Sequence, residues 1–364
     1  MKLVFTIIII SLCMNSYSQE TKKNNPAFFQ FYNFALQGDV PKALTMAEEF
    51  DDTTLSDEQI KTKQKFINRF KNFSDEFTYN TKEQSVLDII EIYRSYWNEV
   101  LLKKSEPDTA EKKLQQNISD YLHKNYFANL NENKKKVHDD FTDYLQKFLI
   151  DHGIKSATGK TAGIYDLLLW AREDRSDYNV TLPESNVTVK VVFMNDVVTM
   201  GWEDYATLGR YYPGGWATDK ELFCVGTAYD TTSENFKVSY LQHEGQHFSD
   251  YKIFPKLTGP DLEYRAKLVE LSYAKESIYN LLNFFIHNSN KDRSNPHAFG
   301  NFCVIRDISN KLFVESHENK TESDIEKWKT VPVEKINKIA KELLLTNTKL
   351  MKEAGADKVS EFMQ

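Results

Sequence analysis

Glycine and proline are scarce in this chain, at 13 and 9 of 364 residues. A β-sandwich or barrel depends on many tight turns made by these two residues, so the scarcity argues against such an architecture. Cysteine occurs only at Cys13, Cys224 and Cys303, with no Cys-x-x-Cys spacing, which speaks against a thiolate metal cluster. Basic charge is not in excess. The 46 Lys and Arg stand against 53 Asp and Glu, a formal charge of −7, the opposite of the footprint left by nucleic-acid binding. Beyond the N-terminus no stretch approaches the run of about 18 apolar residues that a transmembrane helix requires. Against these absences, 41% hydrophobic and 27% charged residues exclude a disordered polyelectrolyte. The length allows two domains, each with its own core. Abundant Lys, Glu, Leu and Asn favour a mostly helical protein.

Residues 1–18 have the pattern of a secretory signal peptide. Lys2 supplies the charge, residues 3–12 are apolar apart from Thr6 and Ser11, and small Ser16 and Ser18 precede Gln19. An uncleaved anchor and a lipid on Cys13 are the competing readings. The apolar run is short for a span, and Leu12 is bulky for the position before a lipidated cysteine. The expectation is a secreted or periplasmic protein, cleaved near Ser18, with no membrane span afterwards. Cys224 and Cys303 would then meet an oxidising compartment, as one disulfide or as two buried thiols.

After a polar leader at 19–25, residues 26 to about 150 carry helical spacing throughout. Phe28, Phe31, Phe34 and Ala35 form one stripe, and Val86, Ile89, Ile90, Tyr93 and Trp97 another. Further helices are predicted over 57–73, 109–126 and 136–150. The pattern changes in 156–364. Residues 165–172 suggest another helix, whereas 187–193 largely alternate and predict a strand, with 197–202 and 222–228 as further strands. Gly159-Lys160-Thr161 lacks the preceding strand and first glycine of a phosphate loop, so an ordinary loop is expected. Helix resumes near Ser233, with breaks at Gly259-Pro260 and around 288–296.

Chemistry enters at His243-Glu244-Gly245-Gln246-His247. On a helix, positions i and i+4 share a face, so His243 and His247 can hold one Zn²⁺ through both imidazoles. Glu244 projects beside that face, placed to accept a proton from water that zinc acidifies. Gly245 costs about 1 kcal/mol relative to Ala within a helix, which is unexpected in a segment selected for stability alone. A catalytic zinc takes three protein ligands. Thr258-Gly259-Pro260-Asp261 should start a second helix carrying Glu263 and Glu270. About 10 Å separates those two along the axis, so only one can ligate. Glu263, near the helix start, is the first choice. Small Ala266 would let the two helices approach closely. Glu270 and Asp250 remain alternatives.

The pattern His243-Glu244-x-x-His247 followed by Glu263-x-x-Ala266 resembles the zincin metallopeptidases, specifically the glutamate-ligand gluzincins. The resemblance covers about residues 187–274. It implies that His243, His247 and Glu263 are zinc ligands and Glu244 the general base. It also implies that an edge strand before the active-site helix receives the substrate chain, for which 222–228 is the best candidate. Many gluzincins have an acidic residue four after the ligand glutamate, buttressing a histidine. Here that position is Lys267, and Asp250 is the candidate replacement. Gluzincins often place a His or Tyr oxyanion donor downstream of the third ligand, which points to His297, with Tyr211, Tyr212 and Tyr229 as alternatives. His123, His138, His152, His287 and His317 have no partner motif and are expected to be structural or exposed.

These readings combine into a mainly α (α+β) protein. A signal peptide (1–18) precedes an all-helical domain (19–155) and a zincin-like domain (156–364) with a small β-sheet and the HExxH helix. The expected activity is zinc-dependent hydrolysis of a peptide or protein substrate, without nucleic acid. The competing expectation is a non-enzymatic binding protein with a structural or vestigial zinc site. The intact Glu244 separates them, because structural zinc needs no base.

Overall fold

A computed structural model describes residues 25–74, 77–130, 132–218, 220–313 and 321–363. The segment read as a signal peptide, Cys13 within it, and His317 lie outside these residues. Among the described residues no helix is long and apolar enough to cross a membrane.

The protein is mainly α-helical with a small five-stranded sheet. Seven helices come first: α1 (Phe31–Ala35), α2 (Val40–Glu49), α3 (Asp57–Ile67), α4 (Gln84–Leu101), α5 (Pro107–Asn125), α6 (Lys134–Asp139) and α7 (Phe141–Asp151). Strands β1 (Lys155–Thr161), β2 (Ile164–Thr181) and β3 (Asn186–Met200) follow, then helix α8 (Gly201–Ala206) and strands β4 (Gly215–Ala217) and β5 (Leu222–Val225). The remainder is α9 (His243–Ile253), α10 (Gly259–Tyr273), α11 (Ile278–His287), α12 (Pro296–Leu312), α13 (Ile325–Lys329) and α14 (Val333–Gly355). Strand order is β1-β2-β3-β5-β4. The chain forms two compact units, one of residues up to 173 with 194–214, the other of 174–193 with 215–364. Two of the three boundaries fall within β2 and β3, and the third at the start of β4.

In the first unit the helices begin where capping chemistry directs. Ser56 and Gln59 form a reciprocal capping box at α3, and Pro107 opens α5 without sacrificing a hydrogen bond. The expected apolar stripes are the core: Phe28, Phe31, Ala35, Val86, Ile89, Ile90, Tyr93 and Trp97 are buried together.

Residues 165–172, expected to be helical, are strand. Leu167, Leu168, Leu169 and Trp170 are all buried, so both faces of β2 are covered here and the alternation that marks a strand is erased. Gly159, Lys160 and Thr161, expected in a loop, pair in β1 with Asp166, Tyr165 and Ile164. Ala162 and Gly163, both with positive φ, make the two-residue turn that joins β1 to β2. The strand expected at 197–202 is the end of β3, after which Gly201 starts α8.

In the second unit, a π-helical segment (Asn235–Gln242) runs directly into α9. A Cβ on Gly245 would lie 3.1 Å from Val180 Cγ1, so glycine permits the close approach of α9 to the end of β2. β5 lies between β3 and β4, and β4 pairs with it from Gly215↔Cys224 to Ala217↔Leu222. The segment at 222–228 is therefore not the sheet edge. That place belongs to β4, because the three residues after Pro213-Gly214 add a further strand. Cys224 and Cys303 are both buried free thiols.

Candidate metal centre

The motif lies at the start of α9, and the predicted second helix starts at Gly259 with Pro260 in its first turn. That helix, α10, is buried from Pro260 to Leu271 on all sides. Charges on such a helix must find partners in the interior, and each does. Asp261 accepts from Arg293 and from the backbone N–H groups of Phe362 and Met363. Arg265 donates to both carboxylate oxygens of Asp250 at 2.8 and 2.9 Å, and also to Asn347 and Thr348. Glu263, Lys267 and Glu270 turn to the two histidines or to each other.

His243, His247 and Glu263 are fully buried, and one ligand atom from each lies within 4.8 Å of the others. The Nε2 atoms of His243 and His247 are 3.1 Å apart. Glu263 Oε1 is 3.3 Å from His247 Nε2, and Oε2 is 3.8 Å from His243 Nε2. Ligand bonds of about 2.0–2.1 Å at a tetrahedral angle would place neighbouring donors about 3.3–3.4 Å apart. The 3.1 and 3.3 Å separations are close to that spacing, whereas the approach to His243 is made by the other carboxylate oxygen and is longer, at 3.8 Å.

His243 Nδ1 lies 2.6 Å from Glu270 Oε1, which directs Nε2 inward. Asp250, the sequence-based candidate for this buttressing role, is held instead by Arg265 and by Gln246. The correction follows from position. Asp250 lies on α9 itself and meets the guanidinium opposite it, whereas Glu270 comes from α10 two turns beyond Glu263. His247 carries Tyr251 stacked against its ring at 6.4 Å.

Both Glu244 oxygens, Glu263 Oε1 and His247 Nδ1 are buried with no hydrogen-bond partner among the described residues. Burial pushes the Glu244 carboxyl up to about 8, with Glu263 and Glu270 adding to the effect and His243 opposing it. Burial also opposes a charge on His243, but the Glu270 and Glu263 carboxylates outweigh it and lift the imidazole to about 10. His247 is held below its ordinary value by burial. Glu263 resists the same desolvation because His297, Lys267 and the two metal-side histidines keep it well below the usual carboxylate range.

His297 occupies the first turn of α12, 31% exposed, with Nδ1 2.8 Å from Glu263 Oε2. Comparison with protein-family models, curated proteins and solved structures gives no match. The site therefore stands on its own geometry.

Of the other candidates, Tyr211 and Tyr212 belong to the first unit. Tyr229 packs on Phe236 and Tyr240. His138 and His287 contact neighbours on their own helices, and His152 contacts the Phe148 carbonyl and packs against Tyr126 and Phe148. Sequence reasoning missed the placement of Lys267, whose Nζ is 3.3 Å from Glu263 Oε2. Its i+4 spacing from Glu263 was the available signal. It also missed Gly300, where a Cβ would lie only 2.8 Å from the Glu263 Cβ.

Proposed function

We propose that the protein is an exported zinc-dependent peptidase of gluzincin type. His243, His247 and Glu263 hold the ion and Glu244 serves as the general base. The observation that carries this reading is the Glu244 carboxylate, fully buried beside the donor triangle with neither oxygen hydrogen-bonded among the described residues. A buried carboxylate without partners is costly, and a purely structural metal gives it no task.

Charge supports a divalent ion independently. Glu244, Glu263 and Glu270 are buried with Lys267 as the one fixed cation among them, since Arg265 is neutralised by Asp250. Three carboxylates against one ammonium leave a deficit of two positive charges, which a divalent cation supplies. Two imidazoles and one carboxylate oxygen suit zinc, and zinc when bound acidifies water and polarises a carbonyl. The protein's own residues supply the rest. Glu244 takes up a proton and releases it to the leaving amine, and Glu270 holds the Nδ1 proton of His243 so that Nε2 stays a donor to the ion. The signal-peptide pattern at residues 1–18 supports the exported part of this reading.

The complete burial of His243, Glu244, His247 and Glu263 favours a second reading, a zincin-like binding protein whose metal is structural. Glu244→Gln distinguishes the two. The variant should retain about one zinc per chain, because the side chain is no ligand, and lose peptidase activity against a broad peptide library. Equal activity in variant and wild type would remove the catalytic role, and failure of the wild type to take up zinc would remove the metal.

A further inference from the structure

Glu263 is not simply a carboxylate at the centre of three partners. Its two oxygens are in different environments. Oε1 faces His247 Nε2 at 3.3 Å and has no hydrogen-bond partner among the described residues. Oε2 is approached by His297 Nδ1 at 2.8 Å and by Lys267 Nζ at 3.3 Å, both closer than His243 Nε2 at 3.8 Å. Each of these two groups is placed by something other than Glu263. Lys267 is 4% exposed, and its ammonium lies 4.9 Å from the centre of the Phe285 ring, a cation–π contact in a dry setting. His297 stands one turn before Gly300, and the missing Cβ at Gly300 lets α12 approach α10 at Glu263 itself. Asn295 caps the same helix by accepting from the Ala298 N–H, which fixes the turn bearing His297.

We propose that Lys267 and His297 are positioning residues that retain Oε2, so that Glu263 gives the metal the single oxygen Oε1. The inference rests on the metal-centre reading and deepens it. A carboxylate can bind through one oxygen or both. The two-oxygen mode consumes a coordination position that a catalytic metal needs for water or substrate. A cation and an N–H donor on Oε2 withdraw its lone pairs from the ion and hold the plane of the carboxylate. Lys267 also makes the centre more electron-poor than the histidines and Glu263 alone would. Both effects keep one position open. An ordinary i,i+4 helix pair explains Lys267–Glu263 without any effect on the metal, and the experiment must separate these cases.

Co²⁺ in place of zinc reports coordination number through its visible absorption, intense for four ligands and weak for five or six. Wild type, Lys267→Met, His297→Ala and His297→Asn would be titrated with Co²⁺, and affinity measured by chelator competition. The proposal expects strong four-coordinate bands in wild type. In Lys267→Met and His297→Ala the bands should weaken as Oε2 turns to the ion, with affinity altered about 10–100-fold. His297→Asn, which restores an N–H donor near Oε2, should recover most of the wild-type spectrum. His297 is partly exposed, so its variants report even if the buried Lys267→Met does not fold. If His297→Ala binds Co²⁺ with the wild-type spectrum and affinity, the proposal is wrong while the metal centre stands. If wild type takes up no Co²⁺, the metal reading falls and the proposal falls with it.

Discussion

Two glycines allow the helices of the site to approach their neighbours, and alanine at each should act differently. At Gly300 a Cβ would lie 2.8 Å from Glu263 Cβ and 3.2 Å from the Tyr264 backbone nitrogen. Carbon atoms pack at about 3.5–4.0 Å, so α12 must withdraw from α10 by roughly 1 Å. Neither obstacle is the end of a flexible side chain. Overpacking of this kind costs about 1–3 kcal/mol, against which alanine returns about 1 kcal/mol of helix propensity. The net expectation is a loss of up to about 2 kcal/mol in urea unfolding with chelator present. The same displacement carries His297 away from Glu263, and zinc affinity should fall about 10–100-fold. At Gly245 the nearest atom is the Val180 Cγ1 methyl at 3.1 Å, a side chain able to give by a few tenths of an ångström. There the propensity gain of about 1 kcal/mol should offset the crowding, leaving stability little changed. Paired urea titrations and zinc competition on both variants decide the matter. A Gly300→Ala protein with wild-type stability and affinity would refute the argument that α12 seats against Glu263.

Glu263→Ala should remove zinc binding almost entirely, whereas Glu270→Ala should weaken it about 10–100-fold by releasing His243 Nδ1, and chelator competition on the two variants ranks them. Arg265→Met leaves Asp250 charged and buried, so unfolding free energy should drop by about 3–5 kcal/mol; a change under about 1 kcal/mol would show that the network contributes little. Burial, aided by Asp166, pushes Glu203 on α8 from an ordinary 4.5 up to about 8. The folded state then holds a proton that the unfolded state has released, so stability should decline as pH rises from 4.5 to 8. Glu203→Gln should flatten that decline and be the more stable protein at pH 8, and an unchanged slope in urea midpoints would assign it elsewhere.

The legible parts of the sequence were those whose meaning is local. His243 and His247 share a helix face whatever surrounds them, and Gly259-Pro260 starts a helix by backbone chemistry alone. Apolar stripes located the N-terminal helices for the same reason. What could not be read was decided at long range. β2 carries four consecutive buried apolar residues, a run equally at home in a buried helix, and only β1 and β3 beside it make it a strand. β1 itself has no apolar run, and its partner supplies the ladder. Likewise, Asp250 was the expected support for a histidine, but Arg265, fifteen residues away, engages it and Glu270 takes the place beside His243. Gly300 gives no sign of its role in sequence, because the atom it avoids belongs to Glu263 on another helix.

The charged residues of α10 explain why its sequence looks like a surface helix although every side is buried. Asp261, Glu263, Arg265, Lys267 and Glu270 would ordinarily mark a solvated face. Their partners include His243 and Asp250 on α9, His297 on α12 and Asn347 on α14, so the helix distributes charge among those helices. That arrangement is balanced except around Glu244, Glu263 and Glu270. Without an ion the imbalance must be met by protons, and two groups at the donor triangle are raised accordingly: His243 to about 10 and Glu244 to about 8. On the proposed reading a divalent ion would take the place of these protons and leave Glu244 ionised, the form a base requires. Metal uptake at neutral pH should therefore release protons, and the metal-loaded protein should resist unfolding better than the metal-free one. On that reading, the same substitution of ion for proton that would stabilise the interior would also prepare Glu244 to act.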